Sequence, residues 1–225
     1  MTLKVRCVII IEKITSSLFL TNTNKEIYSM IQKVKMARVP YVMEDDKAYD
    51  PFSRMLKDRI IFVSGEFNSD MADSIVAQLL FLETEDSETD INMYINSPGG
   101  DMTAMYGIFD TMNYIKPDVV TIGYGMCASA GSFILAAGTK GKRFALPNTE
   151  IMIHELSTGM RGKANDILQE AKHIERVYER MAQYYVEFTG QKLDKVKKDM
   201  HRDFFMTSEE AQKYGLIDKV EYKRA

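Results

Sequence analysis

The stretch Val119-Val120-Thr121-Ile122-Gly123-Tyr124-Gly125-Met126-Cys127-Ala128-Ser129-Ala130-Gly131-Ser132-Phe133-Ile134-Leu135 decides the fold. Its β-branched start, Val119 to Ile122, reads as a buried strand, and the apolar segment behind Ser129 as a buried helix. A serine flanked by small residues at a strand-to-helix turn has the geometry that exposes a nucleophilic hydroxyl. The helix N-terminus behind it offers free N–H groups and a positive dipole end to a developing oxyanion. The strict G-x-S-x-G elbow is absent, because Cys127 stands at its first glycine position. Small residues around a serine also occur in plain tight packing, so this stretch alone leaves both readings open.

Upstream, Arg59 to Gly65 reads as a buried strand. Asn68 or Ser69 caps a helix to about Leu82, with Met71, Ala72, Ile75, Leu79 and Leu82 on one face. A charged loop, Glu83 to Asp90, precedes a strand at Ile91 to Ile95, and a second helix covers about Thr103 to Ile115. Strands and helices alternate, which predicts an α/β fold with parallel pairing and right-handed crossovers. Downstream, residues 142–146 and 151–153 read as short strands, and Ser157 to Gly162 as loop or edge strand. A helix from about Ala164 to Phe188 follows. Its apolar positions Ile167, Ala171, Ile174, Tyr178, Met181, Tyr185 and Phe188 are spaced four and three alternately. Such a helix is roughly 37 Å long, which suggests an element projecting to pack on another subunit. The tail predicts a capped helix at Thr207 to Gln212 and a last strand at Leu216 to Asp218.

The chain has 225 residues, 45% hydrophobic and 27% charged, enough for one or two domains with a sizeable core. A net charge of −3 gives no basic footprint, so nucleic acid is not an expected partner. Cys7 and Cys127, the two cysteines, can form neither a disulfide framework nor a zinc site by themselves. No apolar run approaches a membrane span, and Val8 to Ile11 is cut short by Glu12 and Lys13 before it resembles a signal peptide. A cytoplasmic protein without membrane contact is the expectation. Residues 1–35 read as an extension. From Ala37 to Asp50 the composition suggests a flexible arm.

A serine nucleophile needs a base. His173 lies on the long helix away from its seam, and His201 in a charged turn; both read as solvated. His154 ends the apolar strand Ile151-Met152-Ile153, where a rigid element can aim it into a site. Pro98-Gly99-Gly100 follows another strand, and its glycines let a backbone N–H point inward. With the N–H of Ala130 it could form an oxyanion hole. Neither Gly99-Gly100 nor Gly138-Thr139-Lys140-Gly141-Lys142 satisfies the phosphate-loop pattern, and no cluster has metal-ligand spacing. Spacing does not choose the orienting carboxylate, although Asp203, directly followed by Phe204-Phe205-Met206, invites partial burial.

From about Met36 to Ala225 the sequence resembles the proteolytic subunits of the Clp proteases, self-compartmentalising serine peptidases. The resemblance rests on Tyr94 to Gly100, the block around Ser129, Gly141 to Asn148, Ile151-Met152-Ile153-His154, Arg202-Asp203 with Phe205-Met206, and Tyr214 to Asp218. It implies a catalytic triad of Ser129, His154 and Asp203, with the backbone N–H groups of Gly100 and Ala130 as oxyanion donors. It implies the ClpP/crotonase-like α/β fold of repeated β-β-α units, the long helix being the handle that interlocks two stacked seven-membered rings. A homo-oligomer working with a Clp-type AAA+ unfoldase follows; ATP is used by that partner, and this chain carries no cofactor. The domains expected are an extension at 1–35, an axial arm and short helix at 36–58, and a peptidase domain at 59–225, with a start at Met36. Glu155-Leu156 replaces the Gln-Pro usual after the base. A non-catalytic ring subunit and a crotonase-type acyl-CoA enzyme are the competing readings; the filled triad positions argue against the first, and the triad with the handle pattern against the second.

Overall fold

The computed structural model of the protein describes residues 41–44, 47–157, 159 and 161–223. The chain divides into two compact units, Met1–Asp58 and Arg59–Ala225. In the first, β1 (Val42–Glu44) pairs antiparallel with β2 (Lys47–Tyr49), ahead of α1 (Pro51–Lys57). The Asp50 carboxylate caps α1 by accepting from the Phe52 and Ser53 N–H groups, and Pro51 opens it. Part of the segment expected as a flexible arm is thus a short hairpin. The expected extension at 1–35 and start at Met36 lie outside the described residues.

The second unit runs β3 (Ile60–Ser64), α2 (Ser69–Glu85), β4 (Ile91–Ser97), α3 (Met102–Tyr114), β5 (Val119–Ala128), α4 (Ala130–Ala136), β6 (Arg143–Ala145), β7 (Glu150–Ile153), α5 (Ala164–Thr189), α6 (Leu193–Met200), β8 (Phe204–Met206), α7 (Ser208–Tyr214) and β9 (Lys219–Val220). Strands β3-β4-β5-β6-β9 pair in parallel in that order. Asn68 and Asp101 cap α2 and α3 through their side chains. Helix α2 buries Ala72, Ile75, Leu79 and Leu82 and outruns the expected stop by a charged turn, ending at Glu85.

Strand β5 extends well past the expected Ile122 and does the work of two strands. Its first half, Thr121 to Gly123, pairs with β6; its second half, Met126 to Ala128, pairs with β7. Between them the register against β4 jumps from Ile95↔Gly123 to Ser97↔Cys127. The Asn96 side chain fills this irregularity by accepting from the Met126 N–H. All of α4 is buried, as its composition predicted.

Helix α5 is the predicted long helix, closed by Gly190 in a left-handed conformation. The two halves of its apolar seam differ. Met181 and Tyr185 are buried in the unit's own core, whereas Ile167 and Ile174 are only half-buried and Ala171 is exposed. Around Phe133 of α4, the rings of Tyr106, Phe109, Tyr184, Tyr185 and Phe188 form an edge-to-face cluster. The seam read as intersubunit is therefore core in its second half.

Candidate active site

Ligands of parallel sheets sit beyond the carboxyl ends of the strands. Here that edge gathers the turn after β4 (Gly99-Gly100), Ser129 directly after β5, and His154 directly after β7. Ser129 has φ 54° and ψ −119°, a conformation rare outside glycine. Its N–H donates to Met152 O of β7 at 2.9 Å, and its carbonyl starts α4 by accepting from Phe133 N–H at 3.0 Å. Gly99 is required beside it, because a Cβ there would lie 2.6 Å from Ser129 Cβ. Gly100 has φ 145°, and a Cβ there would meet Phe67 O at 2.4 Å. Phe67 bonds to Gly99 O and Asp101 N–H on either side. In such a parallel bridge the N–H of Gly100 itself points away from Phe67. The N–H of Ala130, in the first turn of α4, has no earlier helical carbonyl to donate to.

Strand pairing brings the imidazole to the carboxylate. The β7–β8 register is Ile151↔Met206, Met152↔Phe205 and Ile153↔Phe204. One rung further, His154 faces Asp203, and His154 Nδ1 lies 3.4 Å from Asp203 Oδ1. The His154 side chain is 26% exposed and that of Asp203 62%, so the partial burial expected of Asp203 is not found. The turn leaving α6 holds it at the outer rim, while Phe204 and Met206 turn inward.

Ser129, His154 and Gly100 line one cleft of about 210 Å³, with Met102, Met181 and Tyr185. Among the described residues no hydrogen bond joins the Ser129 hydroxyl to His154; such contacts often tighten only when substrate is bound. Cys127, two residues away, is no rival nucleophile. Burial pushes its thiol up to about 12, and its Sγ lies 3.2 Å from Ile95 O. His173 lies against Arg176 on the exposed face of α5, and His201 is 3.7 Å from Glu155; neither lines this cleft.

Three cleft residues were missed from sequence. Met102 follows the helix cap Asp101 and carried no chemical signal. Met181 and Tyr185 belong to the seam of α5, whose period says that they pack but not against what.

A serine at a strained strand-to-helix turn that shares one cleft with an imidazole and with the Gly100 turn is the arrangement of a serine hydrolase. The Clp protease family model matches residues 43–224 of the chain. Over 189 residues, 82% of the chain and the whole length of the relative, it is 52% identical to the ATP-dependent Clp protease proteolytic subunit 2 of Bacillus licheniformis. The chain belongs to the Clp protease family.

Proposed function

We propose that this chain is the proteolytic subunit of an ATP-dependent Clp protease, cutting peptide bonds with Ser129 as nucleophile, His154 as base and Asp203 as the group that orients the base. The observation carrying this reading is the strand register, which sets Ser129 and His154 on neighbouring strand ends and Asp203 one rung beyond. Ser129 Oγ attacks the scissile carbonyl while His154 takes its proton. The N–H groups of Gly100 and Ala130 receive the oxyanion. His154 returns the proton to the leaving amine, and water then hydrolyses the acyl-enzyme by the same exchange.

The rest of the reading concerns assembly. Leu168 is 61% exposed on the free half of α5. Beside it runs a groove lined by Leu156, Ala171, Ile174 and Tyr178. This apolar face suits packing between copies, here into two stacked seven-membered rings that enclose the sites in the cytoplasm. No helix among the described residues is long and apolar enough to cross a membrane. Of the arm read from Ala37 to Asp50, the hairpin of β1 and β2 lines the axial entrance. A Clp-type AAA+ unfoldase feeds unfolded chains and uses the ATP; this chain needs no cofactor.

A fluorophosphonate probe labels Ser129 in the wild-type chain. Ser129→Ala loses labelling and cleaves a short fluorogenic peptide at least about 10⁴-fold more slowly. Near-normal cleavage by that variant overturns the assignment. A stable folded protein is degraded only with the ATPase and ATP; rapid degradation by this chain alone overturns the enclosure.

A further inference from the structure

The nucleophile's backbone is tied to the long helix by two hydroxyls in series. Ser132 Oγ donates to Ser129 O at 2.8 Å. Tyr185 OH lies 2.9 Å from Ser132 Oγ. A serine hydroxyl has one proton, and Ser132 gives it to the Ser129 carbonyl. Tyr185 must therefore be the donor in the second bond. Burial raises the pKa of the Tyr185 phenol above its ordinary range, so it keeps the proton it donates. Ser132 is 0% and Tyr185 1% exposed, so water does not replace either bond.

The chain of bonds ends at a residue that needs holding. Conformations like that of Ser129 persist only where the surroundings over-determine them. The N–H of Ser129 is fixed by β7, and its carbonyl by the Phe133 N–H and by Ser132. Phe133 meets α5 only through ring packing, whereas the Ser132 link reaches a side chain of α5 by a hydrogen bond. Tyr185 also lines the cleft.

We propose that Tyr185 is a positioning residue: through Ser132 it sets the peptide of Ser129, so that the seating of α5 governs the reactivity of the nucleophile. This rests on Ser129 being the nucleophile. The Tyr185 ring stays in its aromatic cluster when only the hydroxyl is removed, so Tyr185→Phe isolates the link. Ser132→Ala cuts the same link at its middle. Tyr184→Phe, in the same cluster but outside the link, is the control.

The experiment uses the assembled full chain and two readouts, the rate of fluorophosphonate labelling and steady-state peptide cleavage per titrated active site. Tyr185→Phe and Ser132→Ala each slow labelling and lower kcat by about tenfold, the weight of one hydrogen bond, with KM within about twofold. The double variant is no slower than Ser132→Ala alone, and Tyr184→Phe is unchanged. A lower Tm with wild-type labelling rate and kcat means packing only, and overturns the proposal. Additive losses in the double variant overturn it too, because the hydroxyls then act separately. Labelling that survives Ser129→Ala instead removes the nucleophile assignment on which it rests.

Discussion

The two edges of the parallel sheet can be set side by side. Directly before β3, β4, β5, β6 and β9 stand Arg59, Asp90, Asp118, Lys142 and Asp218. Beyond the other ends of β4, β5 and β7 stand the Gly99-Gly100 turn, Ser129 and His154. Each edge holds one non-glycine residue at positive φ, Arg59 at 60° and Ser129 at 54°. At the amino edge the charges close on one another. Lys142 reaches Asp90 at 2.6 Å and Asp118 at 2.8 Å, Arg143 grips Asp218, and Arg59 donates to four carbonyls. At the carboxyl edge the polar groups face a cleft. Backbone strain is common to both edges, so it does not by itself mark a catalytic position. The distinction lies in whether the strained residue's side chain is consumed by the fold or left facing a cavity.

The largest effect that tests this contrast concerns Asp203. If its carboxylate orients His154 through Nδ1, Asp203→Asn lowers kcat for peptide cleavage on the order of 10⁴-fold. The carboxylate is 62% exposed, so unfolding in urea shifts by no more than about 0.5 kcal/mol. An active Asp203→Asn variant removes Asp203 from the machinery and assigns its place at the rim to the fold.

The sequence made the alternation of strands and helices legible because each segment carries its own period. It made Ser129 and His154 legible because both directly follow apolar strands. Asp203 was beyond local reading: it faces His154 only through the pairing of β7 with β8, segments some fifty residues apart. The role proposed for it rests on the family resemblance. The expected strand stops at Ile122 because the β-branched run ends there, while the structure carries β5 on through Gly123 and Gly125 to Ala128 with the Asn96 side chain as filler. The seam of α5 shows the limit of periodicity. One pattern runs from Ile167 to Phe188, yet the fold covers Met181 and Tyr185 and leaves the earlier turns open.

At the amino edge the expected effects are on stability. Asp218 accepts from Arg143 Nε at 2.9 Å and Nη2 at 2.7 Å, and from the Gly141 and Arg143 N–H groups. Burial alone would raise its carboxyl, but these bonds outweigh it and hold the pKa below the ordinary 3.8. A lowered folded-state pKa gives stability that is fully present above the unfolded value and is lost as pH falls through the folded one. Asp218→Asn leaves the 5%-exposed Arg143 side chain without its counter-charge and destabilises the chain by about 3 kcal/mol at pH 7. The gap from wild type narrows as urea unfolding is repeated at progressively lower pH, below the ordinary carboxylate range. An unchanged gap at low pH would mean that shape, not charge, is what the asparagine variant lacks.

Arg59 gives the smallest effect and the sharpest test, because it pairs with Ser129 in backbone conformation. Its guanidinium donates to Leu82 O and Asp86 O at 2.9 Å, Thr89 O at 2.8 Å and Asp90 O at 3.2 Å, closing the end of α2 over the start of β3. Arg59→Ala removes these bonds and keeps the positive φ, for a loss of about 2 kcal/mol. Arg59→Gly removes the same bonds but is at ease at positive φ, so it is more stable than the alanine variant by about 1 kcal/mol. Both variants cleave peptide at the wild-type rate per titrated active site, since the whole length of the strands separates Arg59 from the cleft. Equal stability of the two would mean that the φ of 60° carries no strain at Arg59. A fall in kcat without loss of stability would show that the amino edge does more than close the fold, and the contrast between the edges would fail.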